Sequence, residues 1–216
     1  MVAGYRTGKA RQRTSIMDRK YFDKWREDYD SMTNQEQKKR HIDIANTYGN
    51  QQSYNLKAYQ KADLKGQIVE IGGWKGELAD HMLKENLNIL SWTNIEFCTH
   101  MEHVCKDFRY KVIEPKEFRW WLHNPEYLKG DCLIASHFIE HISNTDILSL
   151  FVDTISKSSL KRLLLDAPIV EKGECNWSNY LGTHILKYSW SDIISILESL
   201  GFKYVNNFGS VKEFVK

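Results

Sequence analysis

The chain has 216 residues, with 30 Lys and Arg against 28 Asp and Glu, for a formal net charge of +2. That length suits one α/β domain with a small addition, and a net charge so small does not by itself argue for nucleic-acid binding. No apolar run reaches the roughly 18 residues a bilayer span needs, and Cys98, Cys105, Cys132 and Cys175 form no CxxC pair, which argues against a zinc knuckle or a disulfide framework.

Residues 1–17 are expected to form a flexible basic arm carrying Arg6, Lys9, Arg11 and Arg13, with Arg19 and Lys20 just beyond and only Asp18 against them. A solvated tail is the plainer reading, and a phosphate or nucleic-acid contact the sharper one. Residues 18–63 read as a helical N-terminal cap, because Tyr21, Phe22, Trp25 and Tyr29 recur three or four apart and share one face. Tyr48, Tyr54 and Tyr59 continue the aromatic theme. Most of these aromatics should pack the cap, with one or two facing a ligand pocket. No apolar signal-peptide core is expected at the N-terminus, and the scattered cysteines lead to an expectation of reduced thiols in a cytoplasm.

From residue 64 to 216, strand-like and helix-like segments alternate, the pattern of a parallel sheet with crossover helices. Strands are expected at about 67–71, 89–96, 110–113, 131–136, 162–166, 202–207 and 211–215, and helices at about 77–86, 99–107, 116–127, 143–157 and 189–200. Thr99 with Glu102 could form a capping box. Ser189 could cap the last helix, and Gly201 could end it in the left-handed conformation. The last two strands should form an antiparallel hairpin.

The first strand leads into Glu70-Ile71-Gly72-Gly73-Trp74-Lys75-Gly76, a strand–glycine turn–helix arrangement. Glycines allow a sharp turn and close backbone approach. A pyrophosphate would be repelled by Glu70, whereas an ammonium or sulfonium would be favoured. On these residues the region 64–216 resembles the class I S-adenosylmethionine-dependent methyltransferases, whose first motif is an acidic residue, a spacer and glycines. Gly72, Gly73 and Gly76 match the family's glycines and Glu70 its acid, while Trp74 stands where a smaller residue is common.

The resemblance implies a Rossmann-like three-layer α/β sandwich, its seven-stranded, mostly parallel sheet carrying an antiparallel last strand. It also implies S-adenosyl-L-methionine as cofactor. The second strand ends in Glu96, 20 residues after Gly76, where a carboxylate can accept the ribose hydroxyls. Phe97 would then lie beside the adenine.

The fourth strand runs into Ser136-His137-Phe138-Ile139-Glu140-His141. In isolation His137-x-x-Glu140-His141 spells a zinc pattern, but that requires a helix and a further carboxylate ligand, so no metal is expected. The family has a similar segment, which puts Ser136 and His137 at the mouth near the methionine part of the cofactor. There Glu140 and His141 would fix the loop. The fifth strand ends Asp166-Ala167-Pro168-Ile169 and lacks the aromatic clamp of amino-methylating DNA enzymes. A polar and aromatic insertion follows, with Trp177, Tyr180 and His184 as acceptor-side candidates; a surface loop pinned by its aromatics is the competing reading.

The expected activity is methyl transfer to an oxygen or nitrogen of a small-molecule acceptor, sugar-like ones included, by in-line displacement. His137 and His184 are the candidate bases, since imidazole titrates near neutral pH. The alternatives are a nucleic-acid or protein methyltransferase guided by the basic arm, with nucleic acid not favoured, and a non-catalytic scaffold.

Overall fold

The computed structural model of the protein describes residues 56–96, 102–113, 125–142, 144–169, 186 and 188–216. They fall in the compact unit Gln51–Lys216, the chain's other unit being Met1–Asn50. The basic arm and all but the end of the expected cap lie outside the described residues. So do Phe97, Trp177, Tyr180 and His184, together with Thr99 and residues 116–124 of the third expected helix.

In chain order come helical residues 56–61 (α1), β1 (Gly66–Ile71), α2 (Glu77–Glu85), β2 (Ile89–Ile95) and β3 (Tyr110–Ile113). After a 3-10 turn at Pro125–Leu128 come β4 (Cys132–Ser136), a second 3-10 turn at Ile139–His141 and α3 (Asn144–Ser149), which runs on as a π-helix over Leu150–Ile155. Last are β5 (Arg162–Asp166), α4 (Trp190–Ser199), β6 (Lys203–Phe208) and β7 (Val211–Val215). Among the described residues, seven strands form one sheet in the order β3-β2-β1-β4-β5-β7-β6. All described pairings are parallel except those of β7, which runs antiparallel to β5 and β6.

Side-chain alternation along the strands sorts the core into two layers. Val69, Ile71, Leu133, Ala135, Leu163 and Leu165 pack with Ile147, Phe151, Ile193 and Leu197, from α3, its π-helical extension and α4. Ile68, Ile134 and Leu164 instead pack with Tyr59 of α1, with Ala79, Met82 and Leu83 of α2, and with Trp92. The sheet is therefore covered on both faces, which is why its central strands read as apolar runs. Strand order reverses between β1 and β4, the place where an open α/β sheet leaves a crevice at the strands' carboxyl ends.

Local chemistry sets the ends of several elements. Ser189 and Asp192 form a reciprocal capping box at α4. Gly201 takes φ +88° just beyond it, as expected of a left-handed terminator.

The helix expected over 99–107 is absent across its described part, 102–107. There the Val104 N–H donates instead to the Lys75 carbonyl at 2.9 Å. Asp107 then turns the chain by accepting the Arg109 N–H at 2.9 Å. The Arg109 guanidinium reaches the carbonyls of Leu83, Asn86 and Ile89, so it satisfies the end of α2. Long-range partners thus outcompete a local helical preference.

Candidate cofactor and acceptor site

Glu70 lies on the face of β1 shared with Ile68, where a carboxylate meets an apolar layer. It is 2% exposed. The Trp92 indole Nε1–H donates to its Oε2 at 2.9 Å. Burial raises its pKa to about 7 against the partial relief given by Trp92, and Glu96 and Glu77 push it further up. Glu96, at the end of the neighbouring strand, is itself 4% exposed. Two acids therefore converge at the carboxyl ends of β1 and β2.

The loop between β1 and α2 is held by those same strands. Gly72, Trp74 and Gly76 have φ of 69°, 49° and 77°, so Trp74 occupies a left-handed conformation that favours glycine. Asn94, paired with Glu70 across the β1–β2 ladder, accepts the Gly73 N–H at 3.0 Å and donates to the Trp74 carbonyl at 3.1 Å. It also donates to the Tyr110 hydroxyl at 3.0 Å, and that hydroxyl meets His103 Nδ1 at 3.0 Å.

A Cβ on Gly73 would collide with the Glu70 carboxylate and come within 2.7 Å of Asn94 Oδ1. One on Gly76 would come within 2.7 Å of Tyr110 Cζ. At these two positions the glycines make room for the protein's own polar groups as well as bending the chain.

Across the crevice, β4 ends in Ser136 and turns sharply at His137, whose φ is 51°. The His137 N–H donates to the Asp166 carbonyl at 2.7 Å, which binds the turn to the end of β5. The ring lies between two carboxylates: Nδ1 is 3.5 Å from Glu140 Oε1 and Nε2 is 3.7 Å from Asp166 Oδ2. Its side chain is 36% exposed, whereas that of Asp166 is 1% exposed. Burial pulls the imidazole pKa down, but Glu140 and Asp166 outweigh it and leave it raised.

Asp166 is raised by burial, with His137 and hydrogen bonds from Ser210 and Ser136 opposing. Tyr59 is fully buried beneath this point, its hydroxyl facing Ser136 and Asp166, and burial raises it well above its usual value. The one aromatic of the expected cap that is described therefore supports the site from below.

Glu70, Gly72, Gly73, Trp74, Gly76, Glu96, Ser136 and His137 all stand at the carboxyl ends of β1, β2 and β4 or in the turns that follow. The zinc pattern lacks the helix it requires, because His137 lies in a turn and Glu140 in a 3-10 segment. Sequence reasoning did not single out Trp92, Asn94 or Tyr110, nor did it join Asp166 to His137. The polar Asn94 inside an apolar strand was a usable signal, since buried polar groups demand partners.

No family model matches the sequence, and no curated protein matches it significantly. Solved structures do resemble it, and the fold is the Rossmann-like one of S-adenosylmethionine-dependent methyltransferases. CalO1, a methyltransferase in calicheamicin biosynthesis, superposes with TM-score 0.62 at 14% identity, over 90% of this chain and 59% of its own. The mitomycin 7-O-methyltransferase MmcR gives 0.55 at 17% identity, over 76% of this chain and 54% of its own. Magnesium protoporphyrin IX methyltransferase from Synechocystis PCC 6803 gives 0.51 at 16% identity, over 93% and 96%. The chain thus spans less than two thirds of CalO1 and MmcR.

Proposed function

We propose that the protein transfers a methyl group from S-adenosyl-L-methionine to an oxygen or nitrogen of a small-molecule acceptor. The observation that carries this reading is the convergence of Glu70 and Glu96 beside the glycine loop at the strand-order reversal. A cationic nucleoside fits such a place, whereas a pyrophosphate would meet two carboxylates. The likeness to CalO1 and MmcR supports a small-molecule acceptor.

In this reading Glu70, Gly72, Gly73, Trp74, Gly76 and Glu96 hold the cofactor, with Phe97 beside its adenine. When bound, the cofactor supplies an electrophilic methyl on a sulfonium. The chain's own contribution is alignment of acceptor and methyl, worth several kcal/mol when reacting atoms are held near contact. His137, with Ser136 beside it, faces the transfer point and handles the acceptor's proton. Trp177, Tyr180 and His184 form the acceptor side.

Isothermal calorimetry with the cofactor and with its demethylated product tests the reading. Binding is expected near pH 7, with proton release from Glu70 that makes the heat depend on the buffer. Absence of heat with either compound would overturn it.

A further inference from the structure

His137 is gripped in a way that a loop residue does not need. Its N–H is tied to the Asp166 carbonyl, its backbone is left-handed, and its ring is flanked by one carboxylate on each nitrogen. Four elements converge on it: β4, the 3-10 turn carrying Glu140, β5 carrying Asp166, and the β6–β7 turn whose Ser210 hydrogen-bonds Asp166. Strain of this kind persists only where surrounding structure enforces it.

We infer that Glu140 and Asp166 are positioning residues that clamp His137 and equip it to take the acceptor's proton; the inference rests on the methyltransferase reading above. Glu140 Oε1 lies 3.5 Å from Nδ1 and fixes the ring's orientation. Asp166 stands 3.7 Å from Nε2, an attraction without hydrogen-bond length, on a side chain that retains solvent access. The proton leaves the acceptor's O–H or N–H, whose electron pair stays on the acceptor, and the imidazole lone pair takes it. The imidazolium so formed lies between two buried carboxyl groups, which stabilise it as the aspartate of a hydrolase triad stabilises its histidine. Tyr59 from α1 and Ser136 from β4 also face this cluster, and neither carries charge at neutral pH. The proton later passes to water through the exposed edge of the ring.

The test begins with the ligand-free protein, by following histidine ring resonances against pH in ¹⁵N-labelled protein. His137, assigned by its loss in His137→Asn, should hold its proton to higher pH than free imidazole. Asparagine is chosen because it tolerates the left-handed backbone. Glu140→Gln and Asp166→Asn should each move the titration to lower pH, whereas Glu140→Asp, which keeps the charge, should largely restore it. Once transfer to an acceptor is measured, the same two variants should move the acid limb of the pH–kcat profile in the same direction. His137→Asn should lower kcat about 100-fold.

A His137 that titrates like free imidazole, or that ignores both neutralising variants, overturns the clamp even if methyl transfer is found. A clamp seen by resonance in a protein that binds no cofactor overturns the catalytic use and the functional reading together. An acid limb unmoved in variants whose His137 titration has shifted shows a structural role only.

Discussion

The two sides of the crevice solve opposite problems. At the ends of β1 and β2, acids and glycines form a packed cradle: Asn94 serves three partners and Glu70 is sealed beneath Gly73. At the ends of β4 and β5, the groups are charged, strained and partly open, with ring-to-carboxylate distances of 3.5 and 3.7 Å. In the proposed reading, the first side is already in place when a cation arrives, and the second changes its protonation. Burial on one side and clamping on the other shift both titrations upward, by different physics: desolvation for Glu70, neighbouring charge for His137.

The contrast can be broken most forcefully at Glu70. Its folded pKa of about 7 stands above the ordinary 4.5, so the folded state binds that proton more tightly than the unfolded state does. Its contribution is full below pH 4.5 and is lost as pH rises through about 7, a change of about 3 kcal/mol. Denaturant unfolding of ligand-free protein at several pH values should show the decline, and Glu70→Gln should flatten it.

Asn94→Leu should cost a comparable amount, about 3 kcal/mol, because it strands the Gly73 N–H and the Trp74 carbonyl in the protein; thermal unfolding measures it. Gly73→Ala should cost about 2 kcal/mol through crowding against Glu70 and Asn94, and should weaken cofactor binding in calorimetry. Gly201→Ala is the matched control, since no atom lies within 4 Å of its added Cβ. It should cost only about 1 kcal/mol of left-handed strain and leave binding untouched. The smallest effect is expected from deleting residues 1–17, which should leave small-molecule turnover unchanged. A large, salt-dependent loss in a nucleic-acid binding assay would instead favour the nucleic-acid alternative.

Much of this architecture is legible in the residues. The apolar runs at Leu133–Ala135 and Leu163–Leu165, with Ile68, Val69 and Ile71 around Glu70, mark doubly covered strands, and Ser189, Asp192 and Gly201 mark the limits of α4 by local chemistry alone. The glycine turn and its acid announce a ligand crevice for the same reason: a tight bend needs particular residues wherever it occurs.

What the sequence hides is register. That Ile68 pairs with Trp92 and Glu70 with Asn94 is set by how two strands align, and the alignment brings the Trp92 indole within reach of Glu70. The link between His137 and Asp166 spans two strands that are neighbours only because β4 and β5 pair, Ser136 opposite Asp166. The segment 102–107 misled for a related reason: its helical spacing was read without the Lys75 carbonyl that draws Val104 away.

The contact between Trp92 and Glu70 gives the molecule a built-in indicator. An indole N–H donating at 2.9 Å to a carboxylate that gains or loses its proton near neutrality changes its resonance frequency with that ionisation. Arrival of a cation at the crevice would therefore be announced from inside the sheet, by an aromatic ring that solvent never touches and no ligand need meet.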